Sequence, residues 1–485
     1  MKLFRIRGGV HPDGRKDLTT DRPIESAGLP PVLRIPLQQH VGSPAVPVVS
    51  AGDRVGKGQL LAKAHDAVSA PVHAPTSGEI LEVGEYPAPH PSGLHTHTIA
   101  LRPDGDDTWA ELPAPLDPAT ASAEAIAERV AAAGIVGMGG GTFPSAVKLN
   151  LGGQFTLDTL VINGAECEPY LTCDDRLMRE RTAAVIDGVR AMQRALRVSQ
   201  AIIAIEANKP DALAAMNAAV TGEPGLRVVA MPTRYPLGSE KHLVHTLTGR
   251  ETPAGALTAN IGVVVYNVAT AFAVHEAVRL SRPLISRVVT VSGQALRQPR
   301  NLQVAIGTPV SYLLEQCGGY AEEPTRLLAG GPMMGQPLPS LEVPVVKGTN
   351  GVLALTHGET DLRPTMPCIR CGTCVAVCPC GLMPLEMAAR IRHEDLEGAQ
   401  QWGLMDCLSC GACAYACPSY IPLVQYFNYG KGKLRLKEQE RRKQETAKRL
   451  SEARARRTQA QLEARKARQA ARKEPPNTPQ EQRKT

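Results

Sequence analysis

The most constraining feature of this 485-residue chain is a cysteine pattern that occurs twice near the carboxyl-terminal end. Three cysteines at two-residue intervals wrap a loop around one face of an iron–sulfur cube, and a fourth, three residues further on, ligates the neighbouring cluster. The repeat therefore predicts a domain that holds two [4Fe-4S] clusters. The two copies are Cys368-x2-Cys371-x2-Cys374-x3-Cys378-Pro379 and Cys407-x2-Cys410-x2-Cys413-x3-Cys417-Pro418.

The spacing also predicts that the ligand sets cross between the repeats. A pair of zinc sites is the alternative, but zinc sites rarely use four cysteines at this spacing twice. Cys167, Cys173 and Cys380 lie outside the pattern and are interpreted as bystander thiols. The segment resembles the bacterial two-cluster ferredoxins. The expected metal ligands are Cys368, Cys371, Cys374 and Cys417 for one cluster, and Cys407, Cys410, Cys413 and Cys378 for the other.

Cysteine usage and apolar content indicate the compartment. Nine of the 12 cysteines lie between Cys368 and Cys417, which favours metal ligation over disulfides. Free thiolates fit a reducing compartment, and residues 1–13 lack the apolar core of a secretory signal, so we expect a cytoplasmic location. No stretch reaches the roughly 18 apolar residues of a membrane-spanning helix, so the chain itself is expected to be soluble.

The positive charge of the chain is concentrated in its tail. Residues 431–485 carry 19 lysines and arginines against 7 acidic residues, a net charge of +12, whereas the rest of the chain carries −5 of the total of +7. This composition predicts a solvated helix or disorder. Contact with acidic partner subunits or anionic lipid headgroups is the alternative. A nucleic-acid partner is not predicted, because the tail offers no aromatic or motif context.

Residues 46–85 show short apolar runs separated by glycine turns, which predicts β-strands. The two halves, AGDRVGKGQLL (51–61) and APTSGEILEV (74–83), resemble the biotinyl/lipoyl barrel-sandwich family. The connecting segment 64–73 has no lysine at the tip, where that family attaches its cofactor. We therefore interpret this domain as a scaffold and not as a carrier.

From residue 119 the pattern alternates between helices and buried strands, which predicts an α/β layer. A helix with Ile126 and Val130 on one face ends at Gly134. A third block, 287–355, returns to short strands and contains the glycine-rich bend GGPMMG (330–335). In the α/β layer, strands are predicted at 159–163, 201–205, 226–230 and 261–266, with a helix at 182–196.

Two motifs of the α/β layer predict a ligand site. GMGGGTFPSAVKL (137–149) places four glycines before Lys148, which suits close backbone approach to a phosphate or a flavin ring. NGAECEP (163–169) follows a strand, at the end where α/β sheets bind ligands. Clusters exchange single electrons, so a chain that accepts hydride needs a flavin before them. An ordinary turn and solvated carboxylates are the alternative.

With YPLGSEKHLVHTLTGRE (235–251) and YNVATAF (266–272), these motifs resemble the NADH- and FMN-binding subunit of respiratory complex I and related diaphorase subunits. The resemblance covers residues 120–355, including a β-grasp domain. Ala165 departs from it, because complex I has an acidic residue after Asn-Gly. The resemblance implies FMN contacts at Gly139, Gly140, Gly141, Lys148, Asn163, Glu166, Asn267 and Thr270, and a nicotinamide side shaped by Glu168, Gly238 and Glu240.

The order of the domains resembles the RnfC (RsxC) family, whose members belong to the Rnf (Rsx) ion-translocating oxidoreductase complexes. GGVHPDGRK (8–16) and LQQHVG (37–42) match that family's amino-terminal motifs. The resemblance implies a peripheral subunit on the cytoplasmic face of the inner membrane, held by integral and peripheral partner subunits. It also implies that the chain is part of an enzyme and moves electrons between NADH, through FMN, and a ferredoxin-like partner. No acid–base catalytic residue is predicted.

The expected fold class is multidomain α/β and α+β. A soluble diaphorase-type subunit and a flavin-free iron–sulfur electron wire are the alternatives for function. The predicted domains are a barrel-sandwich hybrid (1–118), an FMN/NADH-binding α/β domain (119–282), a β-grasp SLBB-like domain (283–357), a 2[4Fe-4S] ferredoxin domain (358–429) and a basic helical or disordered tail (430–485).

Overall fold

The structure is a computed structural model that describes residues 3–90 and 92–471. The chain divides into two compact units. One contains residues 1–385 and 406–424, and the other contains residues 386–405 and those from 425 onward. The first unit includes both cysteine repeats and all the motifs assigned to ligand binding.

Two small antiparallel sheets form the amino-terminal module. Their strand orders are β2-β8-β7-β4 and β3-β5-β6. The core between them consists of aliphatic side chains such as Leu33, Ile35, Leu61, Ile80 and Ile99, all fully buried. The strands are β1 (Ile24–Ser26), β2 (Leu33–Pro36), β3 (Val46–Pro47), β4 (Arg54–Val55), β5 (Leu60–Lys63), β6 (Val72–His73), β7 (Gly78–Pro87) and β8 (His95–Pro103).

The second module is an α/β layer. Its elements are α1 (Ala123–Ala132), α2 (Ser145–Leu149), β9 (Thr159–Gly164), α3 (Cys173–Glu180), α4 (Thr182–Leu196), β10 (Gln200–Glu206), α5 (Pro210–Val220), β11 (Leu226–Met231), α6 (Glu240–Thr248), β12 (Val263–Asn267) and α7 (Val268–Arg279). The strands are parallel in the order β11-β10-β9-β12. Strands β10 and β11 are added in turn on one side of β9, and β12 then pairs with the opposite side of β9. The strand order therefore reverses between β9 and β12. Ligands bind at such a switch point in open α/β sheets.

Local residue chemistry sets the element boundaries in this module. Ser122 caps α1 by accepting a hydrogen bond from the Ala125 N–H, and the chain leaves the helix at Gly134, with φ of 66°, where the sequence predicted its end. The predicted strand 261–266 begins later, at Val263. A 3-10 turn over Thr258–Ile261 takes its place, and Gly262 closes that turn with φ of 80°.

The third module is a mixed sheet with strand order β1-β14-β13-β17-β15-β16. Its first strand is β1 of the amino-terminal module, which pairs in parallel with β14, so the two modules are interlocked. Buried Val289, Val291, Leu302 and Val304 form the core with the helix of this module. The elements are β13 (Ser286–Ser292), β14 (Arg300–Ala305), α8 (Val310–Gln316), β15 (Arg326–Ala329), β16 (Gln336–Pro337) and β17 (Gly351–Leu355).

The cysteine repeats lie on loops that lead into two short helices, α9 (Thr373–Ala376) and α12 (Ala412–Tyr415). The remaining helices are α10 (Pro384–Arg392), α11 (Leu396–Gln401) and α13 (Leu423–Ala471). The tail is thus helical as far as residue 471, and its predicted remainder, 472–485, lies outside the described residues. Within residues 3–90 and 92–471, none of the helices combines the length and apolar character needed to cross a membrane.

Candidate functional site

A cavity of about 390 Å³ opens where the strand order reverses, at the carboxyl ends of β9 and β12. Its walls come from the glycine-rich loop before α2, the acidic loop after β9 and the start of α6. Leu408 and Cys410, from the second cysteine repeat, complete the lining. The predicted ligand motifs and a predicted cluster ligand therefore share one cavity.

The glycine-rich loop approaches the sheet closely. A Cβ added at Gly139 would lie 3.2 Å from the Cβ of Asn267, whereas one added at Gly141, which lines the cavity, would meet no protein atom within 4 Å. Thr270 is fully buried on α7, and its hydroxyl accepts a hydrogen bond from the Met138 N–H at 3.0 Å. Thr270 thus holds the loop in place from outside the cavity lining, as a fixed support.

Two asparagines pair across the switch point. Asn163 on β9 lies opposite Asn267 on β12 in the parallel ladder. The Asn163 amide donates to the Gly238 carbonyl at 2.8 Å, which joins β9 to the segment before α6. The Asn267 amide donates to the Asp174 carboxylate at 2.6 Å, and its oxygen caps α7 by accepting from the Ala269 N–H. Both side chains line the cavity with fixed polar groups.

Lys148 gives the cavity a positive charge. Its Nζ donates to the Glu240 carboxylate at 3.1 Å and to the Val265 carbonyl at 3.2 Å. Glu240 also accepts from the Thr258 hydroxyl at 2.7 Å, so the pair is held from two directions. The lysine side chain retains 26% of its exposure, which leaves the ammonium group accessible to a ligand in the cavity.

Glu166 and Asp174 form a half-buried carboxylate pair on the cavity wall. The Glu166 carboxylate accepts from the Asp174 N–H at 2.8 Å and the Asp175 N–H at 3.3 Å, so it caps the amino terminus of α3. Burial, together with the charge of Glu166, raises the pKa of Asp174 to about 7. The negative charge of the pair is therefore sensitive to pH near neutrality.

Glu168 connects the cavity to the third module. Its carboxylate accepts from the Met333 N–H at 3.1 Å and from the Met334 N–H at 2.9 Å, both in the glycine-rich bend 330–335. Burial raises the pKa of Glu168 to about 7 against the opposing effect of these two donors. The side chain is therefore a bridge between modules as well as part of the cavity wall.

The structure brings most of the predicted ligand residues together. Gly140, with φ of 98°, and Thr270 do not line the cavity; Gly140 belongs to the glycine-rich loop, which does, and Thr270 lies on α7, which does not. Sequence reasoning missed Asp174, Tyr235 and Cys410 as lining residues. Tyr235 is the first residue of the motif 235–251, so the sequence contained a signal that could have identified it. The sequence contained no such signal for Asp174. The predicted residues that line the cavity are Gly139, Gly141, Lys148, Asn163, Glu166, Glu168, Gly238, Glu240 and Asn267.

The predicted metal ligands fall into two groups that cross between the repeats. Burial, then the nearby thiols of Cys417, Cys368 and Cys371, raise the pKa of Cys374. Burial, then the thiols of Cys407, Cys410 and Cys378, raise the pKa of Cys413. Each group therefore contains three cysteines of one repeat and the last cysteine of the other. Four converging thiols are the donor set that a [4Fe-4S] cluster requires, so the residues fit two such clusters.

The backbone repeats along with the cysteines. Arg370 and Ser409 precede the second cysteine of each repeat with φ of 53° and 55°, and Gly372 and Gly411 follow it with φ of 76° and 84°. Cys380 occupies the position that Ser419 holds in the second repeat, two residues after the last ligand. It lies beside Cys378, Cys407 and Cys410, and burial is the main reason that its pKa is raised to about 12.

Tyr235 joins the cavity to the second ligand group. Its ring is almost fully buried and lines the cavity, and its hydroxyl donates to the Cys410 carbonyl at 2.5 Å. On α6, His242 makes a second connection through Nε2, which lies 3.0 Å from the Pro379 carbonyl oxygen. The group that contains Cys410 is thus seated against the cavity, whereas Cys368 and Cys371 of the other group are exposed.

Four family models match the chain, in the order that the sequence predicted. These are an RnfC barrel sandwich hybrid domain at residues 4–106, a Nuo51 FMN-binding domain at 130–276, an SLBB domain at 288–337 and a 4Fe-4S dicluster domain at 367–421. The predicted fold class is confirmed by these matches together with the mixed α/β structure and the helical tail.

The chain is also similar along most of its length to curated proteins. It is 60% identical over 437 residues to the C subunit of the ion-translocating oxidoreductase complex of Rhodobacter capsulatus, which covers 90% of this chain and 84% of the relative. It is 45% identical over 436 residues to the C subunit of the proton-translocating ferredoxin:NAD(+) oxidoreductase complex of Clostridium ljungdahlii, covering 89% of this chain and 94% of the relative. The corresponding protein of Pseudomonas aeruginosa is 46% identical, with 92% of this chain and 58% of that relative covered.

Proposed function

Since the chain belongs to the RnfC family of ion-translocating oxidoreductase complexes, we propose that it carries electrons between NADH and a ferredoxin-type partner within such a complex. It uses FMN and two [4Fe-4S] clusters for this purpose. The observation that carries the proposal is the shared cavity, which is lined by the glycine-rich loop on one side and by Cys410 on the other.

The residues of the cavity fit FMN. A ligand can approach the backbone at Gly141, where a Cβ would find open space, and Lys148 supplies a positive charge for a phosphate or an electron-rich ring. The amides of Asn163 and Asn267 are fixed by their own hydrogen bonds and present polar groups to the ring. When bound, FMN accepts a hydride from NADH and releases the two electrons singly.

The nicotinamide side of the cavity would be shaped by Glu168, Gly238 and Glu240. Gly238 cannot carry a side chain, because a Cβ there would lie 2.7 Å from the Ala165 carbonyl oxygen. Glu240 is positioned by Lys148 and Thr258, and Glu168 by two backbone N–H groups. These contacts fix the carboxylates at the cavity wall, where they can accept hydrogen bonds from an incoming nucleotide.

The arrangement of the cysteine groups suggests an order for the electron path. A cluster held by the group that contains Cys410 would exchange electrons with a flavin in the cavity, because that cysteine lines the cavity. A cluster held by the group that contains Cys368 and Cys371 would exchange electrons with a partner, because those two cysteines are exposed. Direction along this path depends on the potentials of the sites, which burial and hydrogen bonds to the sulfurs adjust.

We place the chain at the cytoplasmic face of the inner membrane as a peripheral subunit, held by integral partners that translocate the ion. The relatives support this assignment, because their names describe one component of an ion-translocating complex. Fractionation distinguishes it from a soluble diaphorase. A chain expressed with its native membrane partners should sediment with the membranes and be released by detergent, whereas a diaphorase subunit would stay in the supernatant.

The test of cofactor content uses anaerobically purified protein. We expect about eight irons and eight sulfides per chain, together with FMN released on denaturation and bleaching of the absorbance by NADH. Eight irons without flavin and without an NADH response would instead support a flavin-free electron wire. The variant Lys148→Met is the matched control, since it should lose flavin and the NADH response and keep its iron.

A further inference from the structure

The amino-terminal segment 8–16, here called the strap, makes contacts that the electron path does not explain. It crosses the second module and touches the acidic loop after β9 at one end and the cysteine repeats at the other. Its sequence, GGVHPDGRK, contains glycines where the chain passes closest to its neighbours and ends in a lysine. Both ends of the strap meet residues that surround the cavity.

At one end, the Lys16 ammonium group lies inside the acidic loop. Its Nζ donates to the carbonyls of Glu166 and Glu168, each at 3.0 Å, and to the carbonyl of Leu171. The Tyr170 N–H in turn donates to the Gly14 carbonyl of the strap at 2.7 Å. Burial, and then the charge of Lys209, lower the pKa of Lys16, but the three N–H donors of its ammonium form match the three carbonyls and hold them toward one point.

The ammonium group affects the orientation of the carboxylates of the loop. With the carbonyls of Glu166 and Glu168 fixed toward Lys16, the Glu166 carboxylate caps α3 and the Glu168 carboxylate reaches Met333 and Met334. Lys209 also contacts the Glu166 carbonyl, at 3.3 Å, but its main partner is the Glu206 carboxylate at 2.7 Å. Within the described residues, Lys16 alone bonds all three of these carbonyls.

At the other end, Gly8 and Gly9 lie against the first cysteine repeat. The Gly9 N–H donates to the Val377 carbonyl at 2.8 Å. A Cβ on Gly8 would lie 2.5 Å from the Val377 oxygen and 2.6 Å from the Cys378 oxygen, and φ at Gly8 is +58°. Only glycine fits this approach. Next along the strap, Val10 pairs with Tyr235 through hydrogen bonds of 2.8 and 3.0 Å.

We propose that the strap is a positioning element of both redox sites: Lys16 sets the acidic loop of the flavin cavity, and Gly8 and Gly9 seat the Cys378 turn beside Tyr235. The inference rests on the proposed function, since it identifies the segment that positions the flavin site and the adjoining cluster site relative to each other. The contacts themselves do not depend on that function.

Lys16 is tested by comparing Lys16→Met with Arg15→Met. Both variants remove one positive charge from adjacent positions, but the ion pair of Arg15 is with Asp13, outside the acidic loop. By hydrogen–deuterium exchange of the flavin-free protein, we expect peptides within residues 164–173 to exchange about tenfold faster or more in Lys16→Met only. In an FMN titration, the dissociation constant of Lys16→Met should be about tenfold larger than that of the wild type. The dissociation constant of Arg15→Met should change by less than about twofold.

Chemical rescue separates loss of the cation from a general loss of packing. Propylammonium should restore FMN binding to Lys16→Ala, because it replaces the missing part of the side chain, and propanol should not. Exchange and FMN affinity of Lys16→Met that match those of Arg15→Met would overturn the proposal. A wild-type protein that binds no FMN would contradict the proposed function. The comparison of hydrogen–deuterium exchange between Lys16→Met and Arg15→Met would still test the role of Lys16.

The opposite end is tested with two glycines of the same strap. Gly8→Ala should lower the iron content or alter the electron paramagnetic resonance spectrum of the reduced protein, because the added methyl displaces the Cys378 turn. Gly14→Ala is the control, since its Cβ would meet only the Lys16 Cγ, at 3.9 Å. An unchanged iron content and spectrum in Gly8→Ala would refute the cluster half of the proposal. If Gly8→Ala does not fold, the Lys16 variants still test the part of the proposal that concerns the flavin cavity.

Discussion

Replacing Glu168 with glutamine should change how the stability of the protein depends on pH. Burial raises the pKa of Glu168 from 4.5 to about 7 in the folded chain. Between these values the folded state binds more protons than the unfolded state, so the free energy of unfolding falls as pH rises through this window. At 1.36 kcal/mol per pKa unit, the ionised carboxylate costs the folded protein about 3 kcal/mol above pH 7.

Glutamine does not titrate, so Glu168→Gln escapes this cost. It keeps a neutral acceptor for the N–H groups of Met333 and Met334, and the stronger bonds that these groups make to the ionised carboxylate are already included in the pKa of about 7. We therefore expect the free energy of unfolding of the variant, minus that of the wild type, to increase by about 3 kcal/mol between pH 4.5 and pH 8. Groups that do not interact with Glu168 titrate alike in both proteins, and their contributions cancel in the difference.

The assay is anaerobic urea unfolding of both proteins followed by far-ultraviolet circular dichroism at several pH values. Glu322→Gln is the matched control, because it makes the same substitution at an exposed glutamate. If the difference for Glu168→Gln varies with pH no more than that for Glu322→Gln, the surroundings of the Glu168 carboxylate do not raise its pKa and the reasoning is refuted.

Three further predictions concern other parts of the chain. Cys371→Ala should reduce the iron content from about eight to about four per chain, and Cys380→Ala should leave it unchanged, as measured by anaerobic iron analysis; equal losses would contradict the ligand assignment. Lys148→Met should weaken FMN binding about tenfold or more in a fluorescence titration because the cavity loses its cation, and wild-type affinity would contradict this role. Gly188→Ala should cost about 1–3 kcal/mol, because the new Cβ would lie 1.8 Å from the Ala271 carbonyl oxygen; an unchanged melting temperature would contradict the close packing of α4 on α7.

Local rules explain why much of the fold could be predicted. Buried β9 and β10 are short apolar runs, and α4 has the helical periodicity of an amphipathic segment, so their predicted bounds lie within one residue of those observed. The strand predicted at 261–266 was displaced, because a glycine turn that depends on Gly262 precedes it. The pairing of β1 with β14 was not predicted, because no local pattern specifies a partner about 275 residues away.

The residues of the candidate site likewise include some that the sequence could identify and some that it could not. Residues with a short-range signature, such as the glycines before Lys148 and the asparagine at the end of β9, could be assigned from the sequence. Tyr235, Asp174 and Lys16 could not, because their roles depend on partners brought near by packing of separate modules. The Lys16 ammonium group, for example, bonds carbonyls 150 to 155 positions further along the chain.

The sequence by itself predicted the two cluster ligand sets, because the spacing of cysteines along a loop limits which sulfurs can reach one cube. It also determined the order of the domains. Only the tertiary structure decided that Cys410 lines the cavity and that Cys368 is exposed. The two repeats have the same cysteine spacing, so the sequence could not distinguish the inner from the outer cluster; the packing of Tyr235 on Cys410 and of the strap on the Cys378 turn, which both belong to one ligand group, makes that distinction.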